Sequence, residues 1–517
     1  MGLLRSLRFL VARWLMLFFV GVLLIPLTAC NPNTLLANPD RPPQLVEAII
    51  SDPKTFNFVI ASDAGSSSVG SMILEGLVEQ NPLTGEVEPA LAESWSISDD
   101  NLEIIYTMRP NLKWSDGNPL TVDDVVFTYN QLYLNPEIPT GMRDILRIGQ
   151  SGALPTVSKV NERQVKFTVP EPFAPFLSVT GASIYPAHIL QKTVEQKDKD
   201  GKLKFLSTWT VDTPPEQIVA SSAYKLKSYS TAERVIFDAN PYYWKKALTN
   251  QDIPFIKRVI WEIVQSTDTF LIQFRSGSLD SVSVKTEYFT LLKKEEKKGN
   301  FTVYDGGPDY GTNYITFNLN TGKRNGKPLV DPIKSRWFNN VKFRQAVAYA
   351  INRPRIVKNI YRGLGQPQHS FISVQSPFAD ENLKAYDYDV EKAKQLLKEG
   401  GFKYNNKNQL LDADGNRVKF TLNTNSGNKV RESMGNQVEE DLEAIGMDVN
   451  FRTINFNVLI GKLSGSLDWE CSMLGLTGGI DPYNGANVRS PDGNFLLFYQ
   501  NPAPGHEPLV CRQVAEW

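Results

Sequence analysis

Residues 113–127 read KWSDGNPLTVDDVVF and contain the signals of a tight turn followed by a helix. The Ser-Asp-Gly-Asn segment at 115–118 is typical of a turn, because glycine tolerates backbone angles that other residues avoid. Thr121 and Asp124 have the spacing of a capping box, in which each side chain bonds the backbone N–H of the other residue. The stretch therefore predicts a helix over residues 122–133.

Strands and helices alternate on both sides of this stretch. The β-branched and aromatic run at 103–108 predicts a strand. Asn340, Asn352 and Asp389 each precede a run with helical apolar periodicity, so each is a predicted N-cap. Apolar residues at helical spacing over 434–445 predict a further helix, with a short strand directly after it. This alternation predicts an α/β fold.

The bulk composition is typical of a folded protein with several domains. A chain of 517 residues is too long for one compact domain. Its 41% of hydrophobic residues and formal charge of −1 exclude a disordered chain, which needs fewer apolar residues and more net charge. The near-neutral total also argues against a nucleic-acid partner, because nucleic-acid binding usually requires a basic face.

The N-terminal segment has the features of a secretory signal peptide. A basic start with three arginines is followed by an apolar run over 14–25. That run is shorter than the roughly 20 residues that a membrane-spanning helix requires. Leu27-Thr28-Ala29-Cys30 resembles a bacterial lipobox, which predicts that Cys30 is lipidated and becomes the mature N-terminus. The alternative is an ordinary signal cut elsewhere, with Cys30 incidental.

Residue types that carry catalysis or bind metal do not form a recognisable pattern in this sequence. None of the three histidines pairs at metal-ligand spacing, and the HExxH, GxSxG and Walker A motifs are absent. We therefore expect no metal, no cofactor and no catalytic residues. Cys471 and Cys511 either form a disulfide, which an exported protein permits, or leave a buried free thiol at Cys471.

Several blocks together resemble the extracellular solute-binding protein family 5, the dipeptide- and oligopeptide-binding lipoproteins of ABC importers. One such block would be weak evidence, but these occur in the family's order along most of the chain. The blocks are PALAESW at 89–95, the stretch at 113–127, NPYYW at 240–244, FRSGSLD at 274–280, VKFRQA at 341–346 with AINR at 350–353, and the YD, KA and LL pairs between 388 and 397.

The resemblance implies a three-domain periplasmic-binding-protein fold of the Venus-flytrap type with an extra domain II. Ligand would lie between domains I and III, which close around it by hinge motion. The chain's end at Trp517 also suggests a truncated C-terminal segment, because relatives continue further. The expected ranges are 1–29 for a lipoprotein signal peptide, 30–43 for a Pro-rich tether, 44–62 and 205–305 with 501–517 for domain I, 63–204 for domain II, and 306–500 for domain III.

The resemblance also implies a ligand site around the loop at 473–482. Peptide binders of the family place a Trp and then an Asp in this loop, and that Asp pairs with the peptide's amino group. The matching positions here hold Leu476 and Gly479. Asp481 could substitute as the amine anchor, or it is only the Asp of an Asp-Pro turn. The other implied ligand-binding residues are Ser66, Ser67, Phe456, Asn457 and Thr477, although a core role for Phe456 is equally open.

The predicted function follows from the same resemblance. We expect a monomeric, lipid-anchored binding protein, not an enzyme, in the bacterial periplasm or at the cell surface. It would capture a small solute, with a peptide as the first expectation, and deliver it to an ABC permease and ATPase. The alternatives are a secreted peptide or cell-wall hydrolase, and a receptor subunit that presents ligand to a signalling partner.

Lipidation of Cys30 can be tested by metabolic labelling with a palmitate analogue. The wild-type protein should be labelled and the Cys30→Ser variant should not. Membrane attachment should be lost together with the label, because stable anchoring depends on the acyl chains. Equal labelling of the two proteins would contradict the lipobox interpretation.

Overall fold

The computed structural model describes residues 43–485 and 488, except 83, 150–151, 247–252, 371, 381 and 384–385. The predicted signal peptide with Cys30, the tether up to residue 42, Cys511 and the predicted 501–517 part of domain I lie outside the described residues. Within the described part of the chain, no helix combines the length and apolar character needed to cross a membrane.

The first lobe extends up to residue 263 and contains two four-stranded sheets, in the orders β1-β10-β9-β8 and β4-β5-β7-β6. Its strands are β1 (Gln44–Ile49), β2 (Val78–Gln80), β3 (Val87–Pro89), β4 (Ala92–Ile97), β5 (Glu103–Met108), β6 (Thr156–Asn161), β7 (Gln164–Thr168), β8 (Tyr224–Ser230), β9 (Arg234–Ala239) and β10 (Arg258–Ile263). Its helices are α1 (Ala64–Ile73), α2 (Val122–Phe127), α3 (Gly141–Ile145), α4 (Phe176–Val179) and α5 (Ala187–Glu195).

One apolar core fills the first lobe. A single cluster of buried side chains runs from Phe56 to Ile263 and includes residues of both sheets, such as Tyr106 and Phe237, which are fully buried. The β1-containing sheet lies in the ranges predicted for domain I, and the β4-containing sheet lies in the range predicted for domain II. The two therefore pack as one lobe, and the domain boundaries themselves remain a prediction.

A half-buried carboxylate links segments of the first lobe that are distant in sequence. Glu75 accepts hydrogen bonds from the Tyr243 hydroxyl and the Trp244 indole N–H, both at 2.8 Å. The guanidinium of Arg109 lies 3.9 Å above the Trp244 ring, a cation–π contact. Burial raises the pKa of Glu75, so both bonds are needed to offset its lost hydration. The NPYYW block thus supplies hydrogen-bond donors that stabilise Glu75 within the first lobe.

The capping box is confirmed, and the helix that follows changes type within its predicted span. The Thr121 N–H donates to Asp124 at 2.8 Å, and the Thr121 hydroxyl accepts from the Asp123 N–H at 3.2 Å. The α-helix ends at Phe127 and continues as a π-helical segment over Thr128–Tyr133. Apolar periodicity does not distinguish the two helix types, because the same face remains buried in both.

The second lobe, residues 306–479, contains a mixed sheet in the order β11-β18-β16-β17. Strand β16 runs parallel to β17 and β18, whereas β11 is antiparallel to β18. The strands are β11 (Thr312–Phe317), β12 (Lys323–Arg324), β13 (Lys327–Pro328), β14 (Lys403–Tyr404), β15 (Leu410–Leu411), β16 (Lys419–Asn425), β17 (Asp448–Ile454) and β18 (Cys471–Leu476). Between the lobes the chain forms α6 (Thr267–Arg275) and α7 (Thr286–Gly299).

Helices of the second lobe begin where the sequence predicts. Asn340, Asn352 and Asp389 each accept a hydrogen bond from a backbone N–H of the following first turn. The helices are α8 (Pro332–Asn339), α9 (Val341–Ala350), α10 (Arg353–Asn359), α11 (Val390–Glu399), α12 (Lys429–Glu443) and α13 (Phe456–Ile460). The three N-caps are confirmed, and α12 begins before the apolar stripe that predicted it.

Two apolar clusters support the second lobe. The larger one packs its helices against the sheet and includes Cys471, which is 1% exposed and carries a free thiol. Burial raises the pKa of that thiol, which keeps it protonated. The smaller one, which we call the satellite cluster, lies under α13 at one end of the sheet. Its buried members are Leu459, Ile460, Leu463, Trp469 and Leu474.

Gly76 provides a test of the packing within the first lobe. A Cβ atom there would lie 2.1 Å from the backbone oxygen of Gly181, closer than any real contact allows. We expect Gly76→Ala to lower the free energy of unfolding by about 1–3 kcal/mol through overpacking. Gly461→Ala is the control, because a Cβ at Gly461 meets no atom within 4 Å. Equal denaturation midpoints for the two variants would contradict this packing.

Candidate ligand-binding site

The edge of the second-lobe sheet where β16 and β18 end is the candidate site. Thr312 at the start of β11 pairs with Leu476 at the end of β18, so three strands meet at this edge. Loops 426–428 and 477–479 and the segment before β11 gather there. In open α/β sheets, ligands bind outside the carboxyl ends of the strands, where the backbone leaves a crevice.

Arg431 lies at the centre of this edge. It belongs to the first turn of α12, whose N-cap Asn428 accepts from the Arg431 N–H at 3.1 Å. Its Nη1 donates to the Asn425 side chain and its Nε donates to the Asn313 side chain, both at 2.9 Å. The guanidinium lies against β18 at Gly475, where a Cβ atom would be 2.0 Å from Nη2.

The side-chain hydrogen-bond partners of the Arg431 guanidinium are neutral. Among the described residues no Asp or Glu lies within ion-pair distance of its guanidinium, and its two side-chain partners are neutral amides. Burial lowers the pKa of this half-buried group. A partly desolvated guanidinium is best stabilised by a carboxylate or phosphate, which it can bind through two parallel hydrogen bonds. The site can therefore receive an anionic group of a ligand.

Tyrosine side chains form a polar wall beside Arg431. The Asn313 amide donates to the Tyr361 hydroxyl at 2.8 Å. Tyr314, on β11, packs against the satellite cluster. Burial raises the pKa of both phenols, so they remain neutral and offer hydroxyl groups and aromatic surface to a ligand.

Most of the residues predicted from the 473–482 loop lie at this edge. Leu476 is half-buried at the end of β18, and Thr477 and Gly479 are exposed. A Cβ at Gly479 would meet no atom within 4 Å, so space for the family's Asp exists although the residue does not. In α13, Phe456 packs partly against the satellite cluster, as its core interpretation predicts. The buried side-chain oxygen of Asn457 has no hydrogen-bond partner among the described residues.

Ser66 and Ser67 lie on α1 of the first lobe. The buried Ser66 hydroxyl accepts from the backbone N–H groups of Lys54 at 2.9 Å and Thr55 at 3.1 Å. Its hydrogen-bonding capacity is thus used to hold the 54–55 segment against the helix. Ser67 is exposed. Ligand contact by either serine remains a prediction, and the geometry of Ser66 does not favour it.

Asp481 forms a turn with Tyr483, in agreement with the Asp-Pro turn that is one of its two predicted roles. Its Oδ1 accepts from the Tyr483 N–H at 2.8 Å, and its Oδ2 accepts from the Ser178 hydroxyl at 3.1 Å. Because both oxygens already accept hydrogen bonds within the protein, this geometry favours the turn over an amine anchor.

Arg431, Asn313, Asn425 and Tyr361 were missed by sequence reasoning. An arginine in the first turn of a helix usually lies on a solvated surface, and no neighbour in sequence distinguishes Arg431 from such a residue. The two amides that bond its guanidinium belong to Asn313 in β11 and to Asn425 at the end of β16. Within the described ranges, no three His, Cys, Asp or Glu side chains are grouped to bind a metal ion.

Known proteins resemble this chain both in sequence and in fold. At the level of sequence, the oligopeptide-binding protein AppA of Bacillus subtilis is 26% identical over 480 residues, which cover 89% of this chain and 80% of AppA. The dipeptide-binding protein of Escherichia coli is 25% identical over 446 residues, which cover 84% of this chain and 76% of that protein.

Solved structures show the same architecture. AppA in complex with a nonapeptide matches with a TM-score of 0.74 at 22% identity, covering 92% of this chain and 90% of AppA. The periplasmic binding protein MelB of Agrobacterium fabrum in complex with stachyose matches with a TM-score of 0.75 at 19% identity, covering 92% and 74%. The model for bacterial extracellular solute-binding proteins, family 5 middle, matches residues 86–494. The protein therefore belongs to family 5 of the bacterial extracellular solute-binding proteins.

Proposed function

We propose that the protein captures a solute outside the cytoplasmic membrane and delivers it to the permease and ATPase of an ABC importer. Family membership supports this role, because the family consists of extracellular solute-binding proteins. The same membership supports the proposal that the protein binds its solute without catalysing a reaction. Attachment to the membrane through Cys30 and a monomeric state are part of the proposal.

The proposed solute is a peptide. Sequence relatives named for oligopeptide and dipeptide binding support this class. A fold relative that holds stachyose shows that this architecture alone does not select peptides. The solute class must therefore be argued from the side chains of the site.

Arg431 is the observation that carries the proposal. Its guanidinium is half-buried beside neutral amides, and an anionic ligand group would complete its coordination. A peptide provides such a group in its terminal carboxylate or in an acidic side chain. Position 479 has no carboxylate, and both oxygens of Asp481 already accept hydrogen bonds within the protein. These two features support a peptide that is held by its carboxylate more than by its amino group.

Native mass spectrometry of protein purified without refolding tests the proposed function. The expected result is a protein with a bound peptide, released intact on denaturation. A bound sugar or metal complex would contradict the peptide class while leaving solute capture in place. Peptide shortened on incubation with the purified protein would favour the secreted hydrolase.

Arg431 can be tested by calorimetric titration with defined peptides and their C-terminal amides. Arg431→Gln should weaken binding of the free acids by at least about 2 kcal/mol, or roughly thirtyfold, because it removes one partner of a desolvated charge pair. The amides should bind the wild type and the variant equally weakly.

Arg355→Gln is the matched control for this titration. Arg355 is an exposed helix residue that pairs with Glu440, away from the sheet edge. Its substitution should leave the affinity unchanged, since exposed ion pairs contribute little. Equal affinities of Arg431→Gln and the wild type for the free acids would remove Arg431 from the site.

A further inference from the structure

The segment that follows residues 477–479, which we call the ligand loop, contacts the first lobe. We call residues 480–483 the strap. Asp481 accepts a hydrogen bond from Ser178, at 3.1 Å. The Tyr483 ring packs edge-to-face on Phe173, with the ring centres 4.7 Å apart, and its hydroxyl donates to the backbone oxygen of Arg147. Ile480 lies against Gly85, in the turn between β2 and β3.

The strap also contacts the second lobe. The Ser376 hydroxyl of the second lobe donates to the Ile480 backbone oxygen at 2.9 Å. Asp481 holds the turn through the Tyr483 N–H at 2.8 Å, while its other oxygen reaches Ser178. One carboxylate thus serves the turn and the contact between the lobes. A displacement of the first lobe is therefore transmitted to the loop at 477–479, which directly precedes the strap.

The lobes are joined at a second place, where the chain leaves β10. The Val264 N–H donates to Ile49 of the first lobe at 2.9 Å, and the Thr267 N–H donates to Gly427 of the second lobe at 3.1 Å. The segment after β10 therefore contacts both lobes, and the chain then returns to the first lobe, where the Asp280 N–H donates to Val46 of β1 at 2.8 Å. Because the strap contacts Ser376 of the second lobe as well as Ser178 and Phe173 of the first, the lobes cannot move apart without breaking contacts of the strap.

We propose that the strap is a latch that holds the lobes together and keeps the ligand loop in its binding position. Asp481 and Tyr483 are then positioning residues, and the Ser178 region takes part in solute retention without touching the solute. This role rests on the proposed function, since a latch on the cleft matters only for a protein that captures a solute there. Opening of the cleft requires the strap contacts to break.

Small-angle scattering of ligand-free protein tests the latch. Ser178→Ala removes the hydrogen bonds of the Ser178 hydroxyl to Asp481 and to the backbone oxygen of Pro175, and Tyr483→Phe removes the bond to Arg147. Both variants leave the turn at Asp481 and the Tyr483 ring in place. Each should shift the ratio of closed to open molecules about fivefold toward the open form, seen as a larger radius of gyration. Tyr304→Phe is the control, because Tyr304 is 85% exposed and should change nothing.

Melting curves separate opening from unfolding. Both strap variants should melt close to the wild type, because each removes a hydroxyl and leaves the apolar packing of Phe173 and Tyr483 against the first-lobe core in place. A radius of gyration that stays the same in both folded variants overturns the latch, and so does an equal increase in the Tyr304→Phe control. Because no solute is present, the result is independent of whether a peptide, a sugar or nothing is found by native mass spectrometry.

Discussion

The buried carboxylate of Asp124 is the constraint on which the first lobe depends. It accepts from the Thr121 N–H at 2.8 Å, the Ala187 N–H at 2.9 Å and the Trp114 indole at 3.4 Å. These donors start two helices and fix the turn before the first of them. Asp124 is 4% exposed and burial raises its pKa, so loss of any donor would leave a costly unpaired charge. The starts of α2 and α5 are fixed relative to each other by this one group.

Internal carboxylates of this kind account for two of the most recognisable sequence blocks. The 113–127 stretch satisfies Asp124, and the NPYYW block satisfies Glu75. Both carboxylates are internal, and their donors are distributed over several segments of the first lobe. A family resemblance that rests on these blocks therefore identifies the scaffold. It carries little information about the solute, because the proposed site consists of a different set of residues in the second lobe.

Features of the fold that depend on neighbours in sequence were predictable. The span of β5, the capping box and the N-caps of three helices each involve residues within a few positions of one another. The site was less predictable, because Arg431 meets Asn313 only after β11 and β16 join one sheet. The geometry that favours one interpretation of Asp481 involves Ser178, a residue of the first lobe that is distant in sequence. The change of helix type at residue 128 left no pattern in the sequence.

The satellite cluster has a consequence for how this protein can evolve. It supports α13 and the end of β18, and it is separate from the two large cores that stabilise the lobes. Substitutions that reshape the ligand loop or Phe456 therefore disturb a small group of five buried side chains and leave the rest of the packing intact. Such partial independence lets selection alter solute preference at little cost in folding. A scaffold built in this way can be recruited repeatedly for new nutrients.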